Sequence, residues 1–209
     1  MSHNELNWSF AEEFAVETSV IARARALSLE YGVAPISPAV GAQMAILAAS
    51  LVAKNIIEVG TGLGVSGLWL LRGAPEASLT SIDHEFEYHD QAKMLFAEAG
   101  IPHQQLRLIT GHSSEVLPRM NENSYDIVVV DSDPAHLLEN VEHSLRLVRV
   151  GGLVLLPHAL WHGEVANPAQ RGDIPAVYRS VLTLVSQSEA VLAALSPAGD
   201  GLLQLSRVN

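Results

Sequence analysis

The stretch Asn55 to Leu71, NIIEVGTGLGVSGLWLL, runs from a β-branched apolar pentapeptide through glycines into a longer apolar segment. That order reads as strand, tight loop and helix, the opening unit of an α/β fold. Gly62, Gly64 and Gly67 satisfy G-x-G-x-x-G, the spacing of a loop that holds a pyrophosphate on backbone amides. Glu58, two residues before Gly60, opposes that use. Like charges roughly 4 Å apart cost about 4 kcal/mol at an effective dielectric near 20. A carboxylate at this strand end favours a cation instead.

Outward from this unit, helical and strand patterns alternate. Ser9 with Glu12 reads as a capping box opening a helix to about Tyr31, with Gly32 as its stop. Ser37 and Pro38 read as N-cap and first residue of the next helix. ASLTSID, QLRLIT and YDIVVVD read as strands, and IVVV is apolar on both faces, as in a buried parallel sheet. EYHDQAKMLFAEAG and HLLENVEHSLRLV are helices, closed by Gly100 and by Gly151 and Gly152. LVLL is a fifth strand, and 157 to 172 reads as a long loop of the kind that carries function. A helix follows from about Ile174 to Ser188, and the GDG between the last two apolar runs marks a hairpin. The pattern predicts a doubly wound, mostly parallel seven-stranded sheet with an antiparallel C-terminal hairpin strand. It predicts one domain over 1–209, with N-terminal helices over 1–52 and the core over 53–209.

The chain has 209 residues, no cysteine, and 12 basic against 23 acidic residues, for a formal net charge of −11. Disulfides and thiolate chemistry are excluded. Lys54 and Lys93 are the only lysines, so a nucleic-acid partner is not expected. No apolar run reaches membrane-spanning length and no signal peptide is legible, so a cytoplasmic protein is expected.

S-adenosylmethionine fits the loop better than a dinucleotide, because it carries an α-ammonium and a sulfonium and no phosphate. Its carboxylate can take the loop amides and the hydroxyls of Thr61 or Ser66. Asp83, which closes the second strand, can accept both ribose hydroxyls. A nicotinamide-dependent oxidoreductase is the competing reading, with Glu58 against it. A cofactor-binding protein without catalysis is a third.

IIEVGTGLGVSGLWLL, LTSID, TGHSSEVLP, YDIVVVDSD, LWHGEVANP, LRLVRVGGLVLL and GDGLLQLSR together resemble the class I S-adenosylmethionine-dependent methyltransferases. More narrowly, the chain from about Ile36 onward is similar to the bacterial O-methyltransferases related to catechol and caffeoyl-CoA O-methyltransferases. The resemblance implies methyl transfer to a hydroxyl of a small acceptor, and a homodimer. It places Glu58 at the methionine ammonium, directly or through water, and Gly60, Thr61 and Ser66 along the carboxylate. It places Asp83 at the ribose, His112 and Ser113 beside the adenine, and Ile36 against the methionyl end. Asp131 would lie beneath the sulfonium, and Trp161 would border the acceptor.

The family's divalent cation is held by an Asp after strand four and an Asp-Asn pair after strand five, and a lysine follows the first Asp. Asp131 is retained, but Pro157 and His158 replace the pair and Pro134 the lysine. Mg²⁺ or Ca²⁺ loses its oxygen set. The favoured reading is that no metal binds; a softer ion on Asp131, His158 and Asp133 is the alternative. Without a metal, His158 becomes the first candidate for general base, since imidazoles titrate near neutrality. His136 is the second candidate and His162 the third.

Overall fold

The computed structural model describes residues 3–209. Seven strands form one sheet: β1 (Asn55–Val59), β2 (Ser78–Asp83), β3 (Leu106–Thr110), β4 (Tyr125–Val130), β5 (Val148–Pro157), β6 (Val191–Ser196) and β7 (Leu202–Arg207). Their spatial order is β3-β2-β1-β4-β5-β7-β6. The first five run parallel, and β7 inserts antiparallel between β5 and β6. The predicted doubly wound sheet is therefore present, with the antiparallel strand one place in from the edge.

Alternate residues of β1 and β4 serve opposite faces. Ile56 and Ile127 join Met44, Trp69 and Phe96 in one apolar layer. That layer is built on α2 (Ser19–Glu30), α3 (Pro38–Ser50), α4 (Val65–Gly73) and α5 (Phe86–Glu98). Ile57, Val128 and Val130 join Val141, Tyr178 and Val181 on the other face. Those come from α7 (Leu137–Leu147) and α8 (Asp173–Ser186); α6 (Ser113–Val116) is a single turn after β3. Burial on both faces is why these strands are continuously apolar.

Two local expectations fail. The helix expected from Ser9 to Tyr31 is broken into α1 (His3–Phe14) and α2. Thr18 lies between them with an extended backbone, and its hydroxyl accepts the Ile21 N–H as a new N-cap. Ser9 lies inside α1, and Glu12 does not cap its own helix. It accepts instead from the Ser37 hydroxyl (3.0 Å), the Ala39 N–H (3.1 Å) and the Gly199 N–H (2.8 Å). Gly151 and Gly152 do not stop α7, which already ends at Leu147; they lie inside β5. There the β4–β5 register shifts, and a Cβ on Gly152 would sit 2.7 Å from the Asp126 carbonyl oxygen. These glycines make a bulge.

Ser37 caps α3 with Pro38 in its first turn, and Gly32 and Gly100 close α2 and α5 with φ of 72° and 76°, all as predicted. Among the described residues, no helix is long and apolar enough to cross a membrane.

Candidate active site

In an open parallel sheet the ligand crevice lies at the carboxyl ends of the strands, where the strand order reverses. Here that point is between β1 and β4, and a cavity of about 440 Å³ opens there. Gly60 makes the geometry possible. A Cβ on it would lie 1.6 Å from the Asp131 carbonyl oxygen, and its φ is 94°. The Asp131 N–H meanwhile donates to the Val59 carbonyl at 2.8 Å, locking the two strand ends together.

Asp83 organises the loop. Its Oδ2 accepts the N–H groups of Thr61 (2.9 Å) and Gly62 (3.0 Å), and its Oδ1 accepts that of Glu85 (3.0 Å). Those two loop amides are therefore spent on the protein itself. The first turn of α4 follows Gly64, and Val65 and Ser66 line the cavity. First-turn amides have no acceptor within their helix, so the anion-binding capacity sits there.

Behind this wall runs a buried polar chain. Ser66 Oγ donates to Glu58 Oε2 and Ser81 Oγ to Glu58 Oε1, both at 2.7 Å. Ser81 in turn meets the Thr61 hydroxyl (2.5 Å), which meets His89 Nε2 (3.0 Å), and His89 Nδ1 meets the Thr110 hydroxyl (3.0 Å). Burial pushes Glu58 up to about 7, against the pull of the two serine hydroxyls. Burial also pushes His89 down, against Asp83 and Asp90.

The predicted residues divide accordingly. Ile36, Gly60, Thr61, Ser66, Asp83 and Asp131 all border the cavity. So do His112, Ser113, His136, His158, Trp161 and His162. Glu58 does not: its side chain is fully buried, with Ser66 between it and the cavity. The cavity therefore meets the Ser66 hydroxyl and not the Glu58 carboxyl, which the resemblance had placed at the methionine ammonium directly or through water. The Thr61 hydroxyl also faces inward, into the polar chain.

The far end holds Asp131, His158, Trp161 and Tyr178. Burial raises the Asp131 carboxyl, the His158 charge lowers it, and Asp83 raises it further. Burial raises the Tyr178 phenol, helped by Asp131 and Asp200. The Tyr178 ring stacks on Trp161, with centroids 5.4 Å apart. His158 Nδ1 and His162 Nδ1 lie 3.6 and 3.7 Å from Asp200 Oδ2. His136 is exposed and faces Glu139 at 3.9 Å. Asp133 spends Oδ1 on the Ala135 N–H. Among the described residues, no group of three or more His, Asp or Glu is arranged to hold a metal. With proline where a ligand would stand, the donor set does not fit the family's cation.

The model of the O-methyltransferase family matches residues 11–208. The chain belongs to this family. A relative from Mycobacterium sp. strain JLS, named as an O-methyltransferase on inference, is 40% identical over 198 residues, covering 94% of this chain and 90% of its own. A solved structure from Corynebacterium glutamicum superimposes with a TM-score of 0.91 at 27% identity, covering 100% of this chain and 98% of that one. TomG of Streptomyces achromogenes, an O-methyltransferase of tomaymycin synthesis solved in complex with S-adenosylmethionine, shares the fold. Its TM-score is 0.86 at 23% identity, over 100% of both chains. Nothing in these likenesses favours an oxidoreductase.

Sequence reasoning missed Ser81, His84, His89, Tyr178 and Asp200. His84 borders the cavity and stacks on His112 at 5.5 Å. Its place directly after Asp83 is the one local signal that pointed to it.

Proposed function

We propose that this O-methyltransferase takes its methyl group from S-adenosylmethionine and passes it to a hydroxyl of a small acceptor, without a divalent metal. The carrying observation is the charge of the cavity. Asp83, Asp131 and Asp133 line it, and no lysine or arginine does among the described residues. Such a lining suits a cationic cofactor and repels a pyrophosphate.

The residues fit the cofactor in detail. Ser66 gives its proton to Glu58, so its oxygen offers lone pairs to an ammonium in the cavity. The α4 first turn can take a carboxylate. Asp83 can accept from ribose hydroxyls, Ile36 packs against the methionyl end, and His112 and Ser113 stand where the adenine would lie. When bound, S-adenosylmethionine supplies a methyl group already activated by its sulfonium, so alignment carries much of the catalysis. Asp131 holds negative charge beside the reacting centre. His158 takes the proton of the acceptor hydroxyl, and Trp161 with Tyr178 forms an aromatic wall for the acceptor. His158 is preferred over His136 because it is largely enclosed, with 17% side-chain exposure against 51%.

We infer a homodimer as the assembly. Trp8, Phe10 and Phe14 on α1 and Leu192 on the β6 edge leave apolar surface for a second copy to cover.

Titration calorimetry tests the cofactor reading. Asp83→Ala should weaken S-adenosylmethionine binding by at least about 1.5–3 kcal/mol, the scale of hydrogen bonds to a charged group. The loss also includes loosening of the Thr61–Gly62 amides that Asp83 holds. Unchanged affinity in a folded variant would remove Asp83 from the site. A chelator should leave turnover intact; restoration of a chelator-inactivated enzyme by Mn²⁺ or Zn²⁺ would make His158 a ligand instead.

A further inference from the structure

The β6–β7 turn reaches back over the end of β5 and touches the cavity loop. The Ala159 N–H donates to the Gly201 carbonyl (3.1 Å) and the Leu160 N–H to the Asp200 carbonyl (2.9 Å). The His162 N–H donates to Asp200 Oδ1 at 2.6 Å. A Cβ on Gly201 would sit 2.6 Å from Leu160 Cγ, so only glycine allows this approach. Within the loop, His158, Trp161 and His162 all hold positive φ, at 56°, 42° and 54°. Non-glycine residues leave that region unless the surroundings hold them there, and such strain clusters at functional sites.

The pinned loop and turn bring His158 and Asp200 together, and each carries a buried polar atom without a partner. Asp200 Oδ2 is buried without a hydrogen-bond partner, and so is His158 Nε2. His158 Nδ1 lies 3.6 Å from Asp200 Oδ2, while the ring's far nitrogen, Nε2, remains unpartnered in a residue that lines the cavity. Asp131, just after β4, and Asp200, from the β6–β7 turn, act on the imidazole, and Tyr178 from α8 and His162 from its own loop face those two carboxylates in turn. Every full charge among them is negative or comes from a second histidine.

We propose that Asp200 is a positioning residue that fixes His158 as the Nδ1–H tautomer, leaving Nε2 unprotonated as the base. The inference rests on the methyltransferase reading for its purpose, though not for its geometry. In the step it serves, the acceptor O–H bond breaks and an N–H bond forms at Nε2, and the electron pair of the broken bond stays on the oxygen. The Asp200 carboxylate then stabilises the imidazolium it faces, as a carboxylate behind a histidine base does elsewhere. Sequence alone reads Asp200 as a turn residue, because its partner lies 42 positions away.

Tautomers are read directly from long-range ¹H–¹⁵N correlation spectra of the ¹⁵N-histidine-labelled full chain at alkaline pH. The signal lost in His158→Gln identifies His158. The wild type should carry its proton on Nδ1. Asp200→Asn should move it to Nε2, since the amide oxygen stays with the His162 N–H and the NH₂ then faces His158 Nδ1. Asp200→Glu should keep it on Nδ1. Unmoved His89 and His112 signals report an intact fold. A wild-type proton on Nε2, or one that stays on Nδ1 in folded Asp200→Asn, overturns the proposal; should that variant not fold, the wild-type tautomer alone decides. S-adenosylmethionine binding, measured on the same samples, tests the methyltransferase reading separately.

Discussion

Glu58 holds its carboxyl fully buried between two serine hydroxyls, and its protonation midpoint is raised from the ordinary 4.5 to about 7. Below 4.5 both folded and unfolded chains are protonated, so the group costs nothing. Between 4.5 and about 7 the unfolded chain releases a proton that the folded chain keeps, and stability falls as pH rises. Above that range the loss is constant, on the order of 3 kcal/mol. Glu58→Gln removes the titration. Its stability relative to the wild type should therefore improve as pH rises from about 4.5 to 7 and level off beyond. Thermal unfolding of both proteins across that window checks it. A difference that does not vary with pH would show that the carboxyl is not protonated in the folded state near neutrality. The sequence singled out Glu58 as the residue that argues against a dinucleotide. It could not show that Ser66 stands in front of Glu58, because Ser66 is set by how α4 lies on β1.

Elements were legible where their signals are local. All seven strands carry β-branched or apolar runs bounded by glycine, proline or a charged turn, and each was found. The two errors have one cause, a partner distant in sequence. Glu12 has capping-box spacing to Ser9, but the Ser37, Ala39 and Gly199 donors offer it three hydrogen bonds that α1 cannot match. Gly151 and Gly152 resemble a helix stop, but β4 recruits them into a bulge. Glu12 thus ties α1 to the start of α3 and to the β6–β7 turn. Glu12→Ala should cost about 1.5–3 kcal/mol. For a chain of this size that lowers the melting temperature by roughly 3–12 °C. Glu12→Gln should recover part of it, since one amide oxygen can still accept. Equal melting temperatures for Glu12→Ala and wild type would mean that the three bonds do not persist in solution.

Across the whole molecule, Gly60, Asp83 and Asp131 could be placed at the cavity from sequence because they lie at strand ends, where sequence order is also spatial order. Tyr178 and Asp200 escaped because α8 and the β6–β7 turn arrive at the cavity only after β7 has inserted between β5 and β6. Tyr178 repeats at helical spacing with Val181 and Val185, so its pattern reads as core. The same assembly sets an electrostatic character that no single motif shows. The chain carries −11 overall, and Asp83, Asp131 and Asp133 line its cavity with no lysine or arginine beside them among the described residues. Clefts of one sign focus their field on whatever approaches. An acceptor bearing a carboxylate or phosphate meets repulsion of about 1 kcal/mol per unit charge at 4 Å in water, rising toward about 4 kcal/mol where the dielectric falls to 20. A neutral phenol meets none, and one bearing an ammonium group is attracted. Among acceptors of matched ring size, kcat/KM should therefore rise from anionic to neutral to cationic, by about fivefold or more per step. Added salt should narrow the spread, because screening weakens the part that acts through solvent. Steady-state rates on catechol, its carboxylated analogue and its aminoethyl analogue, each at low and high ionic strength, measure this. A preference for the carboxylated compound would place a cationic group at the acceptor end, and the acidic lining described here would not be the surface that selects the substrate.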